Sequence, residues 1–290
     1  MMDKGKKKSN NNNTDEETNQ ELFTKAFKHF IFFGLSNYTL KSICKNILKL
    51  KNQREINIVC NWTISFIHAT YSTYLSYKAL SYKNQELYYK VFQTYNSDKI
   101  VNYNIIDFRE KLLPWNLGYF FWDMIDMPLS GAGLSIGNIL HHITGALGCS
   151  LVIIYKKCQI FAFSALFAEC NSIFLAIRAI SRNPLISIQD NKFGTILYFV
   201  HNIITFLNYT TFFISRIYIH SLGLKQSFFL AYDTYKRRLK RLIVPGKEKE
   251  NEDLDLNYLL GIFGSFGALV FFGNNLYLLQ RLIQADFYNT

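Results

Sequence analysis

The chain alternates between long apolar stretches and shorter segments in which the charged residues are concentrated. The apolar stretches cover roughly residues 22–40, 56–80, 112–129, 134–155, 158–180, 193–222 and 258–283. Most contain about 18–25 residues, and a helix that rises 1.5 Å per residue needs about 20 to cross the hydrocarbon core of a bilayer. The pattern predicts an all-α, multi-pass transmembrane helical bundle with about seven spans.

The first apolar stretch is interrupted by Lys25, Lys28 and His29, so it either crosses the membrane or lies in the interface. Six spans remain if it does not cross. The pattern divides the chain into a disordered Asn/Lys-rich tail, a first apolar segment with a basic loop, a transmembrane domain and a C-terminal tail. These four parts cover residues 1–21, 22–55, 56–283 and 284–290.

The segment between the last two apolar stretches mixes apolar residues with five clustered cations, Lys236, Arg237, Arg238, Lys240 and Arg241. It predicts an amphipathic helix on a head-group surface. With seven spans, this segment and the basic N-terminal tail share one side, the cytoplasm by the positive-inside rule. The basic residues in 41–54 then fall on the opposite side, a conflict that disappears if the first stretch does not cross.

The 290 residues are 49% hydrophobic and 17% aromatic, which excludes a disordered or fibrous chain. The formal charge of +11 comes largely from basic residues beside apolar spans, where topology and anionic lipids explain them. We therefore expect membrane lipids and proteins of the membrane as partners, and no nucleic acid. The five cysteines lack the spacing of a zinc site, so neither a metal nor a bound cofactor is expected.

Ionisable residues recur within three consecutive apolar stretches, as Asp123, then His141 and His142, then Glu169. A charged side chain at the centre of a membrane helix costs about 2.5–3.5 kcal/mol even on the lenient insertion scale. Such groups usually face the bundle interior. The sequence therefore predicts an enclosed polar site at which these side chains converge.

Adjacent histidines on a helix point about 100° apart, so His141 and His142 cannot reach one common atom. This excludes a zinc pair of the HExxH kind and leaves one ring for the site and one for a neighbouring helix. Glu169, if paired with a histidine of the neighbouring helix, would orient its imidazole for proton transfer near neutral pH. Arg178 lies about 13 Å beyond Glu169 along the same predicted helix and faces the opposite side. The alternative explanation for this arginine is that its side chain snorkels to the membrane boundary.

The remaining polar residues of the apolar stretches have simpler explanations. Asp126 falls near the end of its stretch beside Pro128, where interfacial capping accounts for a carboxylate. The others predict interhelical hydrogen bonds worth on the order of 0.6 kcal/mol each. They are His68, His201, Asn202, Asn208, Arg216, Asn274 and Asn275.

From about residue 56 to 283, the order and spacing of these polar residues resemble the TLC domain family, which includes the ceramide synthases. The residues that carry the resemblance are His68, Gly118, Tyr119, Asp123, His141, His142, Glu169, Arg178, Arg216 and Asn275–Tyr277. The resemblance implies a site with His141, His142, Asp123 and Glu169 as its reactive groups. It further implies a lipid-binding or cavity lining of His68, Tyr119, Asn171, Arg178, Arg216 and Asn275.

The chain is more similar to the smaller TLC-domain proteins than to the ceramide synthases, whose histidine motif continues into further Asp residues where this chain has only Glu169. The resemblance implies work on membrane lipids in the endoplasmic reticulum, with a mitochondrial or other membrane as the alternative. Three functions remain open: a protein of lipid homeostasis that binds a lipid or acyl chain, an acyl-CoA-dependent lipid N-acyltransferase, and a non-catalytic subunit of a membrane complex.

Overall fold

The computed structural model describes residues 17–47, 49–81, 103–131, 135–155, 162, 166–181, 191–243 and 251–288, and every regular element in them is helical. The α-helices are α1 (Asn19–Asn46), α2 (Gln53–Ser81), α3 (Tyr103–Ser130), α4 (Ile136–Tyr155), α5 (Glu169–Ser181), α6 (Asn191–Thr211), α7 (Ile219–Ile243) and α8 (Asn251–Ile283). Two π-helical segments, Phe212–Tyr218 and Gln284–Tyr288, follow α6 and α8. The predicted all-α class is confirmed.

Helix α1 begins with a capping box that its sequence encodes. The Thr18 hydroxyl accepts a hydrogen bond from the Glu21 amide at 3.3 Å, and the Glu21 carboxylate accepts one from the Thr18 amide at 2.8 Å. This pairing satisfies two amide groups of the first turn that have no partner within the helix. The helix therefore begins inside the predicted tail of residues 1–21, of which residues 1–16 lie outside the described part of the chain.

Six helical units form a closed ring, with α1 on its outside. Going round the ring, α2 packs on α3, α3 on α4, α4 on α8, and α8 on α7 and the Phe212–Tyr218 segment. That segment and α6 pack on α5, and α5 returns to α2. Helix α1 packs mainly on α3 and also contacts α2. The ring brings α3, α4 and α5, which carry the predicted site residues, around one interior.

The exposed surface of the bundle is rich in large apolar side chains, and its interior contains many polar side chains beside an apolar core. Large apolar side chains that are exposed include Phe27, Phe121, Leu147, Phe206 and Phe266, one from each of five helices. Exposure of large apolar side chains to water is unfavourable, whereas their contact with lipid tails is not. Helix α5 has no exposed residue along its length.

Two stretches of the described helices, Ile136–Tyr155 and Tyr258–Asp286, are long and apolar enough to cross a membrane by length and composition alone. The first lies within the fourth predicted apolar stretch, and the second covers the seventh and extends three residues beyond it. The count of about seven spans, and whether the first stretch crosses, stay predictions.

The predicted amphipathic helix is not a separate element, because α6, the Phe212–Tyr218 segment and α7 run on without a break from Asn191 to Ile243. At 1.5 Å per residue this helix is on the order of 80 Å long, far longer than the roughly 30 Å hydrocarbon core. Its basic end must therefore extend beyond the core. Exposed aromatic side chains accompany the cations there, among them Phe229, Tyr232 and Tyr235.

Close helix contacts occur where the chain has glycine. A Cβ atom on Gly118 of α3 would lie 2.5 Å from the Ala26 carbonyl oxygen and 2.8 Å from the Phe30 amide nitrogen of α1. On α8, a Cβ on Gly267 would lie 3.1 Å from a Thr144 methyl group of α4. Gly267, a small residue of the last apolar stretch, thus serves close packing between helices.

Candidate functional site

The centre of the candidate site is a close contact between His142 of α4 and Asp123 of α3. The His142 Nε2 atom lies 3.2 Å from the Asp123 Oδ2 atom, and the two residues are 8% and 5% exposed. An ionised carboxylate only accepts hydrogen bonds, so with Asp123 ionised a hydrogen on Nε2 would face the carboxylate oxygen. The other ring nitrogen, Nδ1, is buried and has no hydrogen-bond partner among the described residues. A neutral His142 therefore offers a lone pair at Nδ1.

The second histidine, His141, is directed to a different helix. Its Nε2 atom lies 4.0 Å from the Glu169 Oε1 atom of α5, a distance too long for a direct hydrogen bond. The two imidazole rings are 5.3 Å apart between centroids, and each is near its own carboxylate. The divergence predicted from helix geometry is confirmed, and so is the convergence of α3, α4 and α5 on one buried cluster.

Asp123 is held by a second layer of polar contacts in which Asp126 takes part. The Asn61 amide of α2 lies 2.9 Å from Asp123 Oδ1 and 3.3 Å from Asp126 Oδ2. Asp126 also accepts hydrogen bonds from Asn37 at 2.7 Å and Lys41 at 3.2 Å, both on α1. Interfacial capping therefore does not explain Asp126, which is buried and joins three helices.

Sequence reasoning missed Asn37, Lys41 and Asn61 as parts of this site. Asn61 was detectable, since an amide within an apolar stretch needs a partner. Asn37 and Lys41 were not, because their partner lies more than 80 residues away and the first stretch had an uncertain position. A half-buried lysine beside a buried carboxylate is recognised only once α1 is docked.

His68 and Tyr119 form an aromatic wall beside the pair. Their rings stack with centroids 3.6 Å apart, and the Tyr119 ring centroid lies 5.8 Å from that of His142. His68 Nε2 is 2.9 Å from Asn116 Oδ1, and the Tyr119 hydroxyl is 2.9 Å from the Ser65 hydroxyl. Both predicted lining residues are therefore buried next to the candidate site.

Arg216 brings a cation to the interior from the Phe212–Tyr218 segment. Its guanidinium donates to the Ser172 hydroxyl of α5 at 2.6 Å and to the Asn275 carbonyl oxygen of α8 at 3.3 Å. Asn275 in turn contacts His220 of α7. Arg216 and Asn275 thus occupy the interior as predicted, and His220 is a buried histidine that sequence reasoning did not single out.

The last two predicted lining residues serve helix packing instead. Asn171 donates to the Asn208 backbone carbonyl oxygen at 2.9 Å and so ties α5 to α6. Arg178 pairs with Asp286 of the C-terminal π segment, and the Tyr209 hydroxyl donates to the same carboxylate at 2.9 Å. Snorkelling is wrong for Arg178, which is 4% exposed. The structure does not bring Arg178 to the histidines.

A comparison with known protein families shows to which family the chain belongs. The family model of the TLC domain matches residues 58–284. The chain belongs to the TLC domain family. Neither a curated protein nor a solved structure gives a significant match.

The TLC domain makes this a membrane protein, in agreement with its apolar exterior, and relates it to membrane lipids. The domain contains both histidine–carboxylate pairs and Arg216. Helix α1 lies before the matched range, yet its Asn37 and Lys41 complete the contacts of Asp126. Asp286 lies just after the matched range and pairs with Arg178 inside it. Both ends of the chain therefore stabilise the TLC domain.

Proposed function

We propose that this TLC-domain protein serves membrane lipid homeostasis, in the endoplasmic reticulum, by holding the polar part of a lipid against the interior cluster. The observation that carries the proposal is the closed ring with buried, hydrogen-bonding side chains from α3, α4, α5 and α8 at its interior. Ionisable groups at membrane depth are costly and usually serve a ligand or a pathway.

Two atoms of the cluster support a ligand in particular. Nδ1 of His141 and Nδ1 of His142 are buried and lack a hydrogen-bond partner among the described residues. A buried polar atom left unsatisfied costs about 1–3 kcal/mol. The polar group of a lipid would satisfy both atoms, while its acyl chains would meet the apolar side chains that surround the cluster.

The test is lipid retention by the full-length protein purified in mild detergent. We expect native mass spectrometry and lipid extraction to show a lipid bound in about stoichiometric amount. The double variant His141→Gln/His142→Gln should lose most of it, because both ring nitrogens that face the ligand are removed. The matched control is His29→Gln, since His29 lies on α1 and packs on Trp115 outside the cluster.

A wild-type protein that carries no lipid would contradict the proposal. If that lipid-free protein instead purified in a stoichiometric complex, and the histidines were replaceable without cost, a structural subunit would be favoured. Equal retention by the wild type and the double variant would place the lipid elsewhere.

The His142–Asp123 pair specifically favours a second function, acyl transfer from acyl-CoA to a lipid amine. The amine nitrogen would attack the thioester carbon, forming the carbon–nitrogen bond and breaking the carbon–sulfur bond. His142 Nδ1 would take the amine proton and return it to the CoA thiolate, while Asp123 holds the ring in the required tautomer.

Acyl transfer is tested with acyl-CoA and a panel of long-chain amines, and the product is followed by mass spectrometry. We expect Asp123→Asn to lower the rate by about 10²–10⁴-fold, because the replacement amide, with its oxygen accepting from Asn61, would turn an N–H group toward His142 Nε2 and favour the wrong tautomer. The His29→Gln control should keep the wild-type rate. No product from the wild-type protein would reject this function while leaving lipid binding open.

A further inference from the structure

We propose that Arg216 and His220 form a subsite for the anionic group of the bound lipid, a phosphate or a carboxylate. This inference rests on the proposed function and specifies the lipid class. It concerns a group of residues next to the histidine–carboxylate pairs that the functions above do not use.

The first argument is the charge of Arg216. Its side chain is 4% exposed, and both partners of its guanidinium among the described residues, Ser172 and Asn275, are neutral. The Glu169 carboxylate attracts the Arg216 charge from a longer distance, and no ion pair or hydrogen bond joins the two side chains among the described residues. A buried arginine normally pairs with a carboxylate or a phosphate, because an uncompensated charge in a low-dielectric interior is costly.

The second argument is the arrangement of hydrogen atoms around Asn275. Arginine only donates hydrogen bonds, so the Asn275 atom facing the guanidinium at 3.3 Å is its carbonyl oxygen. The amide nitrogen of Asn275 therefore faces the Arg216 carbonyl oxygen at 3.1 Å and His220 Nδ1 at 2.8 Å. His220 Nδ1 also lies 2.9 Å from the Arg216 carbonyl oxygen, so its two neighbours are one donor and one acceptor and do not by themselves fix the position of the ring hydrogen. An anion at Nε2 would place the hydrogen there.

Two buried nitrogen atoms of this group are left without a hydrogen-bond partner among the described residues, and the one on Arg216 can only donate. His220 Nε2 and Arg216 Nε are both buried, and neither has a hydrogen-bond partner in the described part of the chain. A donor on a permanent cation, beside an imidazole nitrogen that can carry a hydrogen, matches an anionic oxygen group. The His220 ring stacks on Phe271, with centroids 5.5 Å apart, and this contact fixes its plane. An anion with at least two oxygen atoms would satisfy both nitrogen atoms.

The experiment measures lipid binding to the full-length protein in detergent by native mass spectrometry, with thermal unfolding as a second readout. The probes are lysophosphatidic acid for a phosphate, oleate for a carboxylate, and monooleoylglycerol as the neutral lipid with the same chain. We expect at least one anionic probe to bind about tenfold or more tightly than the neutral probe, since charged hydrogen bonds are the strong ones. The better anionic probe identifies the group.

Arg216→Met should remove this preference for the anionic probe, and Arg216→Lys should keep part of it, because the charge stays while the Nε donor is lost. The matched control is Arg237→Met, an exposed cation on α7 whose partner is Asp233. If Arg216→Met does not fold, the subsite is still tested by the preference of the wild-type protein for the anionic probe and by the partial loss of that preference in Arg216→Lys.

Three results would overturn the subsite: equal binding of neutral and anionic probes by the wild type, unchanged preference in Arg216→Met or Arg216→Lys, or an equal loss in Arg237→Met. Each of these can occur while lipids still bind, so each rejects the subsite alone. Binding of no probe of any class would instead reject the proposed function together with the subsite.

Discussion

Replacing Asp286 with alanine is expected to destabilise the protein by about 3–5 kcal/mol, the usual cost of removing one partner of a buried ion pair. Asp286 pairs with Arg178 of α5, whose side chain is 5% exposed, and it accepts a hydrogen bond from Tyr209 of α6 at 2.9 Å. Without this carboxylate, the Arg178 guanidinium stays buried without an opposite charge. The measurement is the loss of helical signal with rising temperature in detergent, compared with the wild type.

A double-mutant cycle separates the ion pair from the packing of the C-terminal segment. Arg178→Met/Asp286→Leu removes both charges, and we expect it to be more stable than Asp286→Ala alone, because no unpaired charge remains. Asp233→Ala is the matched control, since Asp233 pairs with Arg237 on the exposed side of α7 and such pairs contribute little. If the Asp286→Ala protein unfolded at the same temperature as the wild type, the Gln284–Tyr288 segment would not stabilise α5 through this ion pair.

Replacing Gly118 with leucine is expected to detach α1 from the ring. Even the first carbon of the new side chain would meet backbone atoms of α1, the Ala26 carbonyl oxygen at 2.5 Å and the Phe30 amide nitrogen at 2.8 Å. Backbone atoms inside a helix cannot move aside as a side chain can, so the helices must separate. Overpacking costs about 1–3 kcal/mol and occasionally more, and we expect the upper end here.

The separation can be measured by cross-linking. Cysteine pairs introduced on the facing surfaces of α1 and α3, in a background free of native cysteine, should link in the wild-type context and fail in Gly118→Leu. Gly148→Leu is the control, because a Cβ on Gly148 would have no heavy atom within 4 Å. Equal cross-linking in both variants would mean that α1 does not depend on the close contact at Gly118.

Detachment of α1 is also expected to remove hydrogen bonds from the candidate site. Asn37 and Lys41 of α1 are hydrogen-bond partners of Asp126, and Asn61 connects Asp126 to Asp123. Helix α1 lies outside the residues that the TLC domain matches, so the site of this protein includes residues that the family alone would not assign.

Much of the candidate site was predictable, since Asp123, His141, His142 and Glu169 stand out as ionisable groups within apolar stretches. Their convergence could be inferred from the cost of leaving them in lipid. Their pairing could not. The 3.2 Å contact of His142 with Asp123 depends on how α3 and α4 are rotated about their own axes, and the packing of side chains along both helices decides that rotation.

Arg178 shows the same limit more plainly. Helix geometry excluded its pairing with Glu169 on the same helix, and the structure agrees. Its actual partner, Asp286, lies 108 residues away in a segment that the pattern assigned to a C-terminal tail. Position near the end of an apolar stretch suggested snorkelling, because local sequence contains no information about a distant segment folding over α5.

By itself, the sequence determined the helical class, the TLC family, the polar interior and the divergence of the two histidines. The family follows from the order of its motif residues, and the other three follow from local quantities, namely apolar length, the 100° step of the helix and the cost of charge in hydrocarbon. Only the tertiary structure decided which carboxylate each histidine meets, that α1 completes the contacts of Asp126, and that Arg216 keeps neutral partners. These depend on contacts between residues far apart in the chain, and the packing of whole helices sets them.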